Sequence, residues 1–293
     1  MVTSVAPGSH TEEAAVLGKG TRLFVGALAV VCVVLLGRSG SGDGFDGTSL
    51  PAGGARDTVA NRVMTWNICN PCDESNADRA ADIATYAPQV IGLQEACVRD
   101  VESIRDQLKS RYGLVYHVEY GSVLRSWSRC GGAPWSPGGY GSALLSAAPM
   151  TDVVKTEYPD GGSEDRGYME VTTTVGGQRV RVFVTHLAER RQEAVRADQV
   201  GVLAAEVARH KRAIVLGDFN AVPYASELTR MWALADDADP QCRPGSDGTC
   251  EVTTDWESKF DYIFLRGITP LKQHVQPTAH SDHHLVRSDL DLG

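Results

Sequence analysis

From Val63 onward the chain is a succession of short apolar runs separated by turn signals, and this pattern constrains the fold more than any other feature. Short runs rich in Val, Ile, Phe and Tyr read as strands. They are expected over 63–68, 90–94, 114–120, 142–146, 150–157, 168–175, 180–185, 213–216, 261–265 and 286–290. Gly176-Gly177 joins two alternating runs, EVTTTV and RVRVFV, so part of the sheet is an antiparallel hairpin. Helices are fewer. One is expected over 77–86, ending before Pro88. A second carries the stripe Val98, Val101, Ile104 and Leu108 and stops at Gly113. Others are expected over 193–210 and 226–234, and 121–139 reads as one long loop. Many strands with interspersed helices make an α/β fold, sheets in the middle and helices outside.

The N-terminus is different in kind. Residues 23–37 (LFVGALAVVCVVLLG) are unbroken and apolar, with Lys19 and Arg22 before them and Arg38 after. That length lies between a signal-peptide core of ~7–15 residues and a spanning helix of ~20, so cleaved signal and retained membrane anchor both stay open. The expected organisation is an n-region over 1–22, the apolar segment over 23–37, a Gly- and Ser-rich linker over 38–60, and a folded domain over 61–293. Export is expected either way, placing that domain outside the cytoplasm or extracellular. Cysteine usage agrees with export. Beyond Cys32 the cysteines are Cys69, Cys72, Cys97, Cys130, Cys242 and Cys250, an even set suited to disulfides. Cys242 and Cys250 bracket the turn-rich RPGSDGT and are expected to pair; the other four cannot be paired from sequence. A zinc site at Cys69 and Cys72 is the rival reading there, weak without a second pair.

Chemistry-bearing residues collect at strand ends. Asn67 closes VMTWN, Glu95 closes VIGLQE, and His186 follows VFVT. Asp218 and Asn220 follow AIVLG, Asp261 opens DYIFL, and Asp282 and His283 precede the last strand. One such residue means only that a strand has reached water. Together they supply oxygen ligands for a hard cation, a base for water and donors for phosphoryl oxygens. The net charge of −9 disfavours a broad basic surface that grips nucleic acid through its phosphates alone, but a bound cation supplies local positive charge.

The ordered set TWNI, LQEA, THL, GDFNAVP, FDYIF and SDHHLV resembles the motif series of the endonuclease/exonuclease/phosphatase superfamily, the relatives of deoxyribonuclease I and exonuclease III. The resemblance spans about residues 62–290 and implies a four-layer α/β sandwich with two central mixed sheets. It implies metal-dependent hydrolysis of phosphate esters with Mg²⁺ or Mn²⁺, with Glu95 as principal metal ligand, Asn67 beside it holding the metal or a phosphate oxygen, and Asp282 beside the metal or supporting the base. Asp218 and Asn220 would orient water and bind phosphate. His283 would be the general base, supported by Asp261, and His186 would donate to the phosphoryl group or protonate the leaving oxygen. Arg166 would hold phosphate, with a surface arginine as the other reading. His284 is expected to face solvent, and Tyr140 either flanks the phosphate or opens a strand. Trp127 and Trp135 serve bases, lipid or a buried packing role. The substrate expected for an exported member is extracellular nucleic acid, followed by lipid in the manner of a sphingomyelinase and then sugar or inositol phosphates. An inactive, membrane-tethered binding protein is the non-enzyme alternative. The membrane enters through the N-terminal segment if uncleaved; no protein partner is indicated and a monomer is expected.

Overall fold

The computed structural model describes residues 57–293 apart from 71, 73–74 and 245–249. The n-region, the apolar segment and nearly all of the linker expected from sequence lie outside the described residues. Among the described residues no helix is long and apolar enough to cross a membrane.

Two six-stranded mixed sheets dominate. The first contains β1 (Val59–Asn67), β2 (Pro88–Cys97), β3 (His117–Arg125), β4 (Gly139–Ser146) and, from the far end of the chain, two strands described below. The second contains β5 (Thr151–Glu157), β6 (Gly167–Val175), β7 (Gln178–His186), β8 (Ala213–Asp218) and β9 (Asp261–Arg266), closed by the two-residue strand Asp236–Asp237. The chain then returns to the first sheet through β10 (Thr269–Gln276) and β11 (Leu285–Asp291), giving the order β10-β11-β1-β2-β4-β3. The second sheet runs Asp236–Asp237, β9, β8, β7, β6, β5. Parallel pairing joins β1 to β2 and β7 to β8, and the remaining ladders are antiparallel.

Helices α1 (Asn76–Tyr86) and α2 (Val98–Tyr112) cover the first sheet, and α3 (Glu193–Val207) the second. The Ser75 side chain caps α1 by accepting from Asp78 N, and Gly113 ends α2 in the left-handed region. Strand periodicity divides the core into three layers. Val63, Val182, Val184, Ile214, Leu216 and Ile263 pack between the sheets. Met64, Trp66, Ile91 and Leu93 face α1 and α2, while Phe183, Val215 and Phe264 face α3. Each such fully buried side chain contributes roughly 1.5–3 kcal/mol relative to exposure. The central sheets approach closely at Gly92, where a Cβ would lie 2.9 Å from the Leu216 Cβ, so no larger residue fits. This is the four-layer α/β sandwich that the motif series implies.

Several local expectations change. The strand expected over 114–120 starts later, because Leu114 N–H bonds back to Leu108 O and Tyr116 donates to Pro88 O. It then runs on into the supposed loop, where Gly121 and Ser122 pair with β4. The rest of that loop folds into a short helix, Trp127–Cys130, and a small hairpin of Gly132–Ala133 with Ser136–Pro137. The helix expected over 226–234 is only a 3₁₀ turn, Ser226–Leu228, and one α-turn, Thr229–Trp232. Strand β10 (TPLKQHVQ) has no sequence signal, since an edge strand half open to water needs no apolar alternation.

All six cysteines of the folded region pair: Cys69–Cys72, Cys97–Cys130 and Cys242–Cys250. The third is the pair expected from its loop. The first leaves no free thiols for the rival zinc reading. The second closes a long loop and ties the Trp127–Cys130 helix to the end of β2, a constraint worth about 3–4 kcal/mol by chain entropy.

Candidate active site

The period of a strand explains how residues far apart in sequence converge. Val182, Val184 and His186 share a face of β7, as do Ile214, Leu216 and Asp218 on β8, and Asp261, Ile263 and Leu265 on β9. On β1 the same parity carries Val63, Thr65 and Asn67. The apolar members fill the space between the sheets, so the polar member at each end opens into the same gap. The register sets Asp218 opposite His186 on one side and opposite Asp261 on the other.

Glu95 reaches the gap by another route. The β2–β4 ladder slips between Leu93 and Ala96, and Glu95 takes φ 51°, which re-aims its side chain. Asn220 has φ 50°. Left-handed backbone at two non-glycine site residues costs of order 1 kcal/mol or more each and is held by the surrounding structure. The Asn67 amide bridges the sheets. It stands beside the Glu95 carboxylate, where it favours the ionised form, and donates from Nδ2 to Asp218 Oδ2 at 3.0 Å, while its Oδ1 accepts from Cys69 N at 3.0 Å. Asp218 Oδ1 accepts from Asn220 N at 2.8 Å.

Two imidazoles flank Asp218 Oδ2, with His186 Nε2 at 3.5 Å and His283 Nε2 at 3.7 Å. His283 Nδ1 lies 2.9 Å from Asp261 Oδ2, which also accepts from Thr253 Oγ1 at 2.7 Å. A carboxylate can only accept, so Nδ1 keeps a proton whether the ring is neutral or charged, and Nε2 faces the cleft. Burial alone would lower the His283 pKa, but the Asp261 and Asp218 carboxylates outweigh it and raise the value to about 10. His186 is the reverse case. Arg166 Nη1 lies 3.1 Å from its Nδ1, and an arginine only donates, so the proton of the neutral ring sits on Nε2, where Asp218 Oδ2 at 3.5 Å is the acceptor; Asn220 Nδ2, 3.1 Å from the same nitrogen, donates to Leu187 O. Burial first, then the Arg166 charge, hold its pKa well below the usual histidine value. The sequence shows no acidic residue placed to support His186; its nearest carboxylate is Asp218.

Ligating atoms of the buried Asp218, Asp261 and His283 lie within 4.8 Å of one another, with His283 Nδ1 engaged by Asp261. Burial raises the pKa of both Glu95 and Asp218, and Asp261 Oδ1 is buried without a hydrogen-bond partner. Desolvated carboxylates converging with an unpartnered oxygen fit a divalent cation. Asp282 is placed differently: its carboxylate groups with the Cys69 and Cys72 sulfurs rather than with Asp218 and Asp261.

Over residues 64–283 the sequence matches the Endonuclease/Exonuclease/phosphatase family. The chain belongs to this family. As an endonuclease/exonuclease/phosphatase-family phosphoesterase it carries the acidic cluster expected of divalent-metal-dependent enzymes. No curated protein matches the sequence. Among solved structures it is similar to an endonuclease/exonuclease/phosphatase from Beutenbergia cavernae DSM 12333, 22% identical with TM-score 0.65, over 79% of this chain and 71% of that one. It is also similar to D. rerio TDP2 complexed with a single-strand DNA product, 20% identical with TM-score 0.63, over 78% and 98%. A family protein from Leptotrichia buccalis C-1013-b is 14% identical with TM-score 0.61, over 80% and 100%. At these identities the likeness speaks for the fold.

Other readings of individual residues change around this family site. Arg166 is buried and holds Glu164 at 2.5 Å as well as His186, unlike a surface arginine. His284 does not face solvent: it is buried and its Nε2 lies 3.1 Å from Asp255 Oδ1. Tyr140 is buried in β4 under the Arg129 guanidinium, 4.7 Å from its ring. Trp127 and Trp135 are 57% and 87% exposed, which removes the buried packing role. Three neighbours were not legible from sequence. Glu164 anchors Arg166 and Arg129, Thr253 fixes Asp261, and the Trp256 ring stands edge-on to His283 at 5.3 Å. Only Glu164 leaves a trace, two residues before Arg166.

Proposed function

We propose that this chain is an exported nuclease that hydrolyses phosphodiester bonds of extracellular nucleic acid with Mg²⁺ or Mn²⁺. The observation that carries the reading is the convergence of Asn67, Glu95, His186, Asp218, Asn220, Asp261 and His283 at one end of facing strands. When bound, a divalent cation polarises a phosphoryl oxygen and offsets charge in the transition state. Glu95 and Asn67 would hold it, and Asp282 stands near enough to raise the His283 pKa.

The remaining chemistry falls to the chain's own groups. Asp218 and Asn220 orient the attacking water and the phosphate. His283 accepts a proton from that water at Nε2, with Asp261 stabilising the imidazolium at Nδ1. A cation held by Glu95 and Asn67 would lower the His283 pKa from that raised value, toward the range where the ring can act as a base. His186, neutral and protonated at Nε2, donates to a phosphoryl oxygen or to the leaving oxygen. Arg166 sets that tautomer and adds positive charge beside the phosphate site.

Nucleic acid is favoured by the exposed Trp127 and Trp135, which offer stacking surfaces, and by a similar fold that was crystallised with single-stranded DNA product. Export is supported by the apolar segment 23–37 and by three disulfides, bonds typical of oxidising compartments. The test is a panel of plasmid DNA, RNA, sphingomyelin vesicles and small phosphomonoesters, each with Mg²⁺, with Mn²⁺ and with chelator. Nucleic acid should be cleaved and chelator should abolish cleavage. Exclusive turnover of sphingomyelin or of monoesters would replace this reading.

A further inference from the structure

A second group of ligating side chains lies on the outer face of the second sheet. Glu170 projects from β6 opposite Phe183, three residues along β7 from His186, roughly 10 Å of strand. Glu206 stands in the last turn of α3, and His210 follows it four residues later, so the two share one side of the turn. The backbone continues that turn, with Arg209 N–H to Glu206 O and His210 N–H to Val207 O. The three side chains meet at the wall of an open groove of about 990 Å³.

The donors are held before any ligand arrives. Glu170 is buried and accepts from Arg181 Nε at 2.7 Å. The His210 ring is fixed by the edge of Phe183 at 5.8 Å, and its carbonyl by Arg266 Nε at 2.8 Å. Glu206 Oε2 accepts from Arg209 at 3.1 Å, which leaves Oε1 toward the histidine. His210 Nε2 is buried and has no hydrogen-bond partner. It stands 3.6 Å from Glu170 Oε2 and 3.8 Å from Glu206 Oε1. Those separations exceed a hydrogen bond. They are close to the ~3.3–3.5 Å between neighbouring donors of a tetrahedral ion with bonds of 2.0–2.2 Å.

We propose that Glu170, Glu206 and His210 bind a transition-metal dication of the zinc class, separate from the phosphoesterase site. One imidazole nitrogen with two carboxylates is a donor set that suits zinc, whereas Mg²⁺ prefers oxygen and keeps its waters. The groove admits water to the remaining coordination position. Arg181 and Arg209 neutralise part of the carboxylate charge and so moderate the affinity.

The test uses the purified full chain, stripped of metal, in excess Mg²⁺, titrated calorimetrically with ZnCl₂. His210→Ala and Glu206→Gln should each bind one Zn²⁺ fewer per chain than the parent, or bind it about tenfold or more weakly. Both should keep the parent's Mg²⁺-dependent turnover of bis(p-nitrophenyl) phosphate. An Asp218→Asn variant, altered only in the catalytic cluster, should retain the same Zn²⁺ event. Co²⁺ in place of Zn²⁺ should give visible absorption that His210→Ala removes. Glu206→Gln lies on the helix surface and guards against a folding defect in the other variant. Equal Zn²⁺ stoichiometry and affinity in the parent and both variants overturns the proposal, as does a parent whose Zn²⁺ binding disappears entirely in Asp218→Asn.

Discussion

The His283 side and the His186 side of the cleft use the same side chain against the same carboxylate, Asp218, in opposite electrostatic settings. On the His283 side two carboxylates raise the pKa and fix the proton on Nδ1. On the His186 side burial and a guanidinium depress it and leave the proton on Nε2. Proton position is therefore set by what lies behind each ring. The sheets divide the labour: the second supplies His186, Asp218 and Asp261, and the first supplies Asn67 and Glu95.

The harshest way to break this comparison is to remove one ring. His283→Ala should lower turnover by roughly 10²-fold or more, the scale of a positioned acid–base group. Calorimetric Mg²⁺ binding should stay near that of the parent, and near-normal turnover would end the assignment of the base. Glu95→Gln tests the opposite property. It keeps the shape and removes charge, so Mg²⁺ affinity and turnover should fall together; unchanged metal affinity would exclude Glu95 as a ligand.

Smaller changes sharpen the contrast without deleting either ring. Asp261→Asn removes a charge that raises the His283 pKa, so that pKa should fall. Arg166→Met removes a charge that depresses the His186 pKa, so that pKa should rise. Histidine NMR titrations of metal-free protein would read both, and shifts of like sign would show that the neighbours do not set the difference.

The smallest expected effect lies outside the cleft, at the half-buried pair of Arg62 and Asp289 across β1 and β11, 2.6 Å apart. The Arg62 hydrogen bond lowers the Asp289 pKa. A carboxylate with a depressed folded-state pKa adds stability above its unfolded pKa and loses it as pH falls through the folded one. Asp289→Asn should therefore cost at most about 1 kcal/mol at neutral pH, after allowance for solvent screening. Urea melts at neutral pH and below the depressed pKa should show the deficit vanish in acid. A deficit that persists there would assign the pair a packing role.

Much of this architecture could be read from the chain because strands with a buried face must write that face into the sequence. Runs such as AIVLGDFN and VFVTHL show apolar residues and then a polar closer, and β8 and β7 follow them closely. Edge and capping segments carry no such obligation. Strand β10 carries no apolar alternation, and the apolar residues near Leu114 resemble a strand although their burial serves a helix cap. Within the site, motif order marked Asn67, Glu95, His186, Asp218, Asn220, Asp261 and His283, whereas Thr253 and Trp256 gave no warning.

By itself the sequence determined the layer pattern, the family and the residue types at the cleft, since periodicity and motif order are local properties of the chain. Tertiary structure alone decided which partner stands behind each imidazole. It also decided that the Asn67 amide bonds Asp218 beside Glu95, that Cys97 finds Cys130, and that Glu170 meets the end of α3. Those facts depend on strand register and sheet packing, which bring together residues separated by up to hundreds of positions, and electrostatics acts over ångströms of space rather than along the chain.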